Sequence, residues 1–310
     1  MKPTISGLHH VTAIAGPAQR NVDFYAGFLG LRLVKKTVNF DDPGTYHLYY
    51  GDDAGRPGTI LTFFPWADVV PGRAGAGMTE ETAFSVPQET LDDWMSRFAE
   101  AGYDFDAPTE RFGEQVLTFK DPDGLGLALV AHAEAGSRPA SYAVRSFHSV
   151  TLQLASPART ARLLTDVFGY EAKGEDNWRL RFQAPGEAHA GILDLIPARE
   201  RGRAGAGTVH HIAFRAHDEA EQLEWRERVQ AFGLQVTEVK DRNYFKSIYF
   251  REPGGVLFEI ATDPPGFTAD ETMEELGSHL KLPAWLEPRR AWLEAQLPVL
   301  NMPAQTGTRP

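Results

Sequence analysis

Two pairs of adjacent histidines stand near opposite ends of the chain. His9 and His10 lie in GLHHVTAIAG, His210 and His211 lie in TVHHIAFRAH, and one acid, Glu259, interrupts the apolar stretch VLFEIA. Imidazoles and carboxylates bind divalent metals, and a set of two imidazoles and one carboxylate leaves several coordination positions open. Such a set suits a non-haem Fe(II) that holds O2 and a substrate side by side. These residue types therefore predict a metal centre, but not which histidine of each pair belongs to it.

Side-chain alternation along the strands selects one histidine from each pair. In the related strand FHSVTLQL, residues 147–154, one face is apolar and should pack on a helix, while the other face is polar. The same register turns the second histidine of each pair toward a cavity and the first histidine away from it. In VLFEIA the register turns the glutamate inward, where a carboxylate is costly unless it is paired or bound to a cation. We therefore predict that His10, His211 and Glu259 bind a metal ion.

The chain repeats one pattern four times: a short strand, an amphipathic helix, and two or three further strands. The predicted helices cover 21–30, 90–102, 158–169 and 219–233, and each ends at a glycine, as a left-handed helix stop would. This pattern predicts an α+β fold of four βαβββ modules that form two barrel-like domains. Along the sequence we expect one pair of modules over 1–135, a linker over 133–141, a second pair over 144–266 and a C-terminal helical extension over 267–310.

Alignment of the four units predicts a single metal centre. The residues aligned with Glu259 are Phe63, Ala128 and Leu195, none of them an acid, and those aligned with the inward histidines in units two and three are Glu81 and Ser149. The ligands come from units one and four, so these two units should share the metal cavity. Units two and three should then form a second cavity without a metal.

Composition narrows the classes of function. With 310 residues, 42% of them hydrophobic, the chain can bury a full core. The absence of cysteine excludes disulfides, thiolate ligands and a cysteine nucleophile, and a net charge of -11 argues against a nucleic-acid partner. No stretch approaches the roughly 18 consecutive apolar residues of a membrane span, and the N-terminus lacks a signal-peptide pattern. We expect a cytoplasmic protein with no membrane partner.

The segment 284–300 carries large apolar residues at near-helical spacing. These residues are Trp285, Leu286, Trp292, Leu293 and Leu297. Such a pattern indicates packing on the body of the protein or a contact between subunits. It is therefore compatible with a homo-oligomer.

Several stretches resemble one known family. LHHVTAIAG, YHLYYGD (46–52), FHSVTLQL, VHHIAF and PGGVLFEIATD resemble the vicinal oxygen chelate superfamily of glyoxalases and extradiol dioxygenases, and within it the hydroquinone-type ring-cleaving dioxygenases. The similarity runs nearly end to end. It implies the same three ligands, His10, His211 and Glu259, around Fe(II) or alternatively Mn(II). It also implies the partners of the reaction, which are a small aromatic substrate of the hydroquinone type and O2.

Five further residues are candidates for catalysis around the metal. Tyr249 faces inward in SIYFRE and is a candidate proton donor. Arg242 occupies a position that the family uses near the substrate, although Arg111 at the same place in unit two favours a structural role. The residues that could orient ligands or move protons are Thr12, His9 and His210. For the two histidines, the predicted outward register makes packing an equal explanation.

Other reactions on the same scaffold stay open. A catechol extradiol dioxygenase usually takes its ligands from the two units of the second half, where Ser149 stands. A glyoxalase-like isomerase or lyase generally has a fourth protein ligand, and the obvious place for it holds Phe63. Chemistry like that of hydroxyphenylpyruvate dioxygenase needs a basic group to bind a 2-oxo acid. A drug-binding protein on this scaffold has no reason to keep a set of metal ligands in one cavity only. The resemblance implies a ring-cleaving dioxygenase of the hydroquinone type.

Overall fold

The computed structural model describes residues 3–132, 144, 146–187 and 190–303. The predicted linker, 133–141, lies outside the described residues. Within the described ranges, no helix has the length and apolar character needed to cross a bilayer.

The first half of the chain contains two units. In unit one, β1 spans Leu8–Ala15, α1 spans Ala18–Val22 and continues as a π-helix over Asp23–Phe28, and β2, β3 and β4 span Arg32–Asn39, Asp42–Gly51 and Ile60–Pro65. In unit two, β5 spans Met78–Val86, α2 spans Leu91–Ala101 after a 3-10 turn over Gln88–Thr90, and β6, β7 and β8 span Thr109–Arg111, Glu114–Lys120 and Gly126–Ala131.

The second half repeats the order. In unit three, β9 spans Phe147–Leu154, α3 spans Ala158–Arg162 and continues as a π-helix over Leu163–Val167, and β10, β11 and β12 span Glu171–Asp176, Arg179–Gln183 and Ile192–Pro197. In unit four, β13 spans Thr208–Ala216, α4 spans Glu219–Ala231, and β14, β15 and β16 span Lys240–Asp241, Lys246–Arg251 and Leu257–Thr262.

The strands form two sheets of eight, and each sheet takes strands from both halves of the chain. The first sheet has the order β14-β15-β16-β13-β1-β4-β3-β2, and the second has the order β10-β11-β12-β9-β5-β8-β7-β6. At the centre of the first sheet, β1 runs antiparallel to β13, and each runs parallel to the last strand of its own unit, β4 or β16. The prediction that units one and four come together is confirmed, whereas the boundaries along the sequence stay a prediction.

All four predicted helices are present, and each is followed by a glycine in the left-handed region. The φ angles are 72° at Gly30, 72° at Gly102, 74° at Gly169 and 96° at Gly233. A Cβ at Gly30 would meet nothing within 4 Å, so the backbone angle, not space, requires glycine there. The predicted helix ends are therefore correct, because they rest on a local conformational preference.

The alignment of the units was wrong by one residue at two positions. His10 and His211 occupy equivalent places, so Thr12 corresponds to Ala213, which pairs with Glu259. Thr12 itself pairs with Thr62. The equivalent of Glu259 in unit one is therefore Thr62, not the predicted Phe63, which packs in the core instead.

The same correction applies to unit three. Thr151 pairs with Asp194, so an acid, and not the predicted Leu195, occupies the place of Glu259. Leu195 is fully buried in the hydrophobic core. A shift of one residue exchanges the two faces of a strand, so the predicted alignment put core residues at inward positions. In unit two, Ala83 pairs with Ala128 as the alignment predicts.

The C-terminal segment packs on the first sheet. It contains short 3-10 turns over Phe267–Ala269 and Glu287–Arg289 and one helix, α5, over Arg290–Gln296. Its leucines are buried and its tryptophans are exposed; these residues are Leu286, Leu293, Leu297, Trp285 and Trp292. The fully buried Lys35 of β2 donates to Asp270 at 2.6 Å and also pairs with Glu271. The segment is therefore held by apolar packing and by a buried ion cluster.

Candidate metal centre

The three predicted ligands come from three neighbouring strands of the first sheet and converge. His10 lies on β1, His211 on β13 and Glu259 on β16. The Nε2 atoms of His10 and His211 are 3.3 Å apart, and Glu259 Oε2 lies 2.9 Å from His211 Nε2 and 3.5 Å from His10 Nε2. All three side chains are buried. The three side chains predicted to face inward therefore meet in space.

Two β-bulges explain why each site histidine has a histidine before it. Between Leu8 and His10, β1 has one residue that has no partner on β13. Opposite the step from Thr12 to Ala13, β13 has one residue that has no partner on β1. The extra residues are His9 and His210. A bulge places two residues opposite one and redirects side chains, so strict alternation fails at both histidine pairs.

Each bulge histidine contacts the ring of the histidine that follows it. The Nδ1 atoms of His9 and His10 are 2.9 Å apart, and those of His210 and His211 are 2.8 Å apart. A metal bound through Nε2 requires the ring proton on Nδ1, which can then donate to the neighbouring Nδ1. Burial, and then the nearby His10, lower the pKa of His9 to about 3, so His9 is a neutral acceptor at neutral pH.

The predicted direction of His210 is wrong. Its ring is exposed at the rim of the cavity, where it lies 5.8 Å from the ring of Phe64, instead of facing away. The bulge in β13 is the physical reason, because it redirects the side chain that alternation would place on the far face. His9 does not line this cavity and packs 5.2 Å from the ring of Phe245.

The carboxylate of Glu259 fits a cation. Ser247 Oγ donates to Glu259 Oε1 at 2.5 Å, whereas Oε2 is buried, faces the two Nε2 atoms and has no hydrogen-bond donor. Burial alone would raise the pKa of Glu259, but the nearby imidazoles of His10 and His211 outweigh it and hold the pKa well below its usual range. Two imidazole nitrogens and one carboxylate oxygen that share one point are a donor set for Fe(II), Mn(II) or Zn(II).

The ligands stand at the base of a cavity of about 330 Å³. Much of its wall is apolar and aromatic, contributed by Phe40, Phe64, Trp66, Phe245 and Leu257. Flat apolar walls with a few polar groups are typical of a site for a small aromatic ligand. A ligand in this cavity would reach any metal held by the three residues.

Tyr249 and Arg242 line the same cavity. Arg242 Nε donates to the Tyr249 hydroxyl at 3.1 Å, and another Arg242 nitrogen lies 3.2 Å from Asp41. Tyr249 pairs with Glu259 across β15 and β16, which brings its phenol beside the ligands. Burial, and then the charge of Glu259, raise the pKa of Tyr249, so the phenol keeps its proton at neutral pH. The proton is available to a ligand in the cavity.

His47 and Tyr49 also line the cavity, although neither was predicted as a site residue. The Tyr49 hydroxyl lies 2.8 Å from His47 Nδ1, His47 Nε2 lies 2.8 Å from Thr62 Oγ1, and Thr62 Oγ1 lies 2.8 Å from Thr12 Oγ1. Thr12 is buried and connects to the cavity through this chain instead of lining it. The signal was present in YHLYYGD, where the two residues alternate onto one face of β3.

Comparison with known proteins places these features in one family. The model of the Glyoxalase/Bleomycin resistance protein/Dioxygenase superfamily matches residues 7–129 and 146–260. The "Putative ring-cleaving dioxygenase MhqO" of Bacillus subtilis strain 168 is 47% identical over 94% of this chain and 95% of its own. The "Chlorohydroquinone/hydroquinone 1,2-dioxygenase" of Sphingobium indicum is 36% identical over 91% of this chain and 93% of its own.

Solved structures agree. A crystal structure described as a "putative dioxygenase" of Bacillus subtilis superposes with a TM-score of 0.92 at 45% identity, covering 97% of this chain and 99% of that chain. Glyoxalase I of Zea mays superposes with a TM-score of 0.64 at 14% identity, covering 83% of this chain and 92% of that one, which shows a shared fold alone. The chain belongs to the glyoxalase/bleomycin resistance protein/dioxygenase superfamily.

Proposed function

We propose that the protein is a ring-cleaving dioxygenase that opens hydroquinone-type aromatic rings with O2 at a non-haem Fe(II). The observation that carries the proposal is the convergence of His10, His211 and Glu259 at the base of an aromatic-lined cavity. A relative named for chlorohydroquinone and hydroquinone matches over nearly the whole length and supports the class of substrate.

The three ligand side chains would hold Fe(II) and leave its remaining positions toward the cavity. When bound, Fe(II) supplies adjacent positions for a phenolic oxygen and O2 and a route for electrons between them. The protein contributes the orientation of the ligands, through His9, His210 and Ser247.

The cavity positions the substrate and controls its protons. The aromatic walls offer apolar contact to a ring and displace water from it. Tyr249, whose hydroxyl oxygen accepts from Arg242 Nε, keeps its own proton and can donate it to a substrate or product oxygen. His47 and Tyr49 supply a second polar patch that can bind the other hydroxyl of a para-dihydroxy ring.

Oxygen uptake by the metal-loaded protein tests the proposal. Protein loaded anaerobically with Fe(II), and in parallel with Mn(II), is supplied with methylhydroquinone, catechol or hydroxyphenylpyruvate while O2 is recorded. We expect uptake of one O2 per methylhydroquinone and loss of the aromatic absorbance. Uptake with catechol alone would overturn the substrate class, and glyoxalase turnover without O2 uptake would overturn the dioxygenase.

A matched pair of variants assigns the activity to this centre. Glu259→Gln removes the ligand charge and should reduce uptake to background. Glu224→Gln makes the same chemical change on the exposed face of α4 and should leave uptake unchanged.

A further inference from the structure

We propose that Glu114, His132 and His148 form a second divalent-cation site, in the sheet that does not contain the catalytic centre. Among the residues that the structure describes, two groups bring three metal-ligating atoms within 4.8 Å of one another, and this is the second. The proposal does not rest on the proposed function, because it concerns a different sheet and different residues.

The three side chains converge on one carboxylate oxygen. Glu114 Oε1 lies 3.0 Å from His132 Nδ1 and 3.0 Å from His148 Nε2. The histidine rings are 5.4 Å apart between centroids. His148 is buried, and the other two side chains are largely covered. This arrangement repeats the pattern of the catalytic group, in which one oxygen of Glu259 faces two imidazole nitrogens.

Two of the three ligands, Glu114 and His148, have a further polar partner, as the ligands of the catalytic group do. Arg181 donates to the other oxygen of Glu114 at 2.8 Å, which corresponds to Ser247 on Glu259. Ser149 Oγ lies 3.1 Å from His148 Nδ1, which corresponds to the contact of each bulge histidine with its neighbour. Partners of this kind fix the orientation of metal ligands and are typical of built metal sites.

Arg181 is shared between two carboxylates. It binds Asp194 through two nitrogens, at 2.9 and 3.0 Å, and Glu114 through one nitrogen. Arg179 also lies 3.3 Å from Asp194. Arg181 occupies only Oε2 of Glu114, and Oε1 faces the two imidazoles, where a cation would bind.

The second site is not a degenerate copy of the catalytic centre. The places of His10, His211 and Glu259 in the second sheet belong to Glu81, Ser149 and Asp194. Cationic side chains neutralise both acids, since Arg111 binds Glu81 and Arg181 binds Asp194. The proposed site uses His148 instead, which is the extra residue of a bulge in β9 and precedes Ser149 as His210 precedes His211.

The position of the site indicates a structural role. Glu114 begins β7, His132 follows the end of β8, and His148 lies on β9. His132 and His148 stand on either side of the segment that connects the two halves of the chain. A cation that joins them would link β7 and the end of β8 to β9 and so stabilise the pairing of units two and three. Two imidazoles and a carboxylate, with a water as fourth ligand, suit Zn(II).

Zinc stoichiometry of the full chain tests the site directly. Protein is saturated with Zn(II), freed of excess by gel filtration, and analysed for metal and protein. We expect two equivalents in the wild type, one in Glu259→Gln, one in His148→Ala and none in the double variant. His279→Ala, which removes an exposed histidine, should keep two. One equivalent in the wild type would overturn the proposal, as would two equivalents in His148→Ala.

Thermal unfolding gives a second readout that does not depend on His148→Ala folding well. In the Glu259→Gln background, Zn(II) should raise Tm by a few degrees, because it binds only the folded state. The near-isosteric change Glu114→Gln in that background should abolish the rise. A rise that survives Glu114→Gln would mean that zinc binds elsewhere, and the assignment would fail.

Discussion

His210 Nδ1 lies 2.8 Å from His211 Nδ1, so the bulge residue determines which nitrogen of its neighbour faces the cavity. Replacement of His210 by alanine should therefore weaken metal binding without removing a ligand. Partners of this kind typically contribute about 10- to 100-fold to metal affinity. Competition with a chelator measures the change, and His279→Ala serves as the control. Affinity equal to that of the wild type would show that the contact does not orient His211.

Tyr249→Phe tests the phenol as a proton donor. Loss of the hydroxyl should lower kcat by about 100-fold, which is within the usual range for a general acid, with a smaller change in KM. Tyr46→Phe removes the same atom from a tyrosine of the first sheet that bonds to the backbone of Pro298, outside the cavity. A parallel loss in both variants would point to general damage to the sheet.

Lys35→Met should destabilise the protein strongly. The change leaves the carboxylates of Asp270 and Glu271 without their buried cation, which typically costs about 3 to 5 kcal/mol. The adjacent Lys36→Met should cost less than about 1 kcal/mol, because the Lys36 ammonium reaches the backbone of Ser278 at 3.4 Å and feels Glu271 only as a nearby charge, without a direct ion pair. Urea unfolding measures both, and similar losses would contradict the buried cluster as the anchor of the C-terminal segment.

Asp121 should make stability depend on pH. Its carboxyl is buried and accepts from Tyr25, and burial raises its pKa from 3.8 to about 6 against the opposing hydrogen bonds from Leu125 and Tyr25. The folded carboxyl thus binds its proton more tightly than the unfolded one. Its contribution is complete below 3.8 and is lost as the pH rises through about 6, a change of at most about 3 kcal/mol.

Urea unfolding between pH 4 and 7 measures this dependence. Asp121→Asn, which cannot titrate, should lack the decline that the wild type shows in this range. The exposed Asp104→Asn should keep it. Equal slopes in all three proteins would mean that Asp121 titrates normally.

Local patterns were enough to determine several features of this protein. The helix ends follow from glycine at left-handed positions such as Gly102 and Gly233. The types of the candidate ligands follow from polar residues in otherwise apolar strands. The distribution of these ligands between units one and four then predicted which units share a sheet, because one ion cannot be bound from two separate cavities.

Only the tertiary structure decided the features that depend on pairing between distant strands. Two such features are the bulges at His9 and His210 and the alignment of Thr62 and Asp194 with Glu259. Both depend on the register between strands that lie far apart in sequence. The contact of His47 with Thr62 and the meeting of Glu114 with His148 likewise need two strands to be placed together. Side-chain alternation along one strand does not show whether that strand has an extra residue relative to the strand beside it. These features therefore could not be predicted from the sequence.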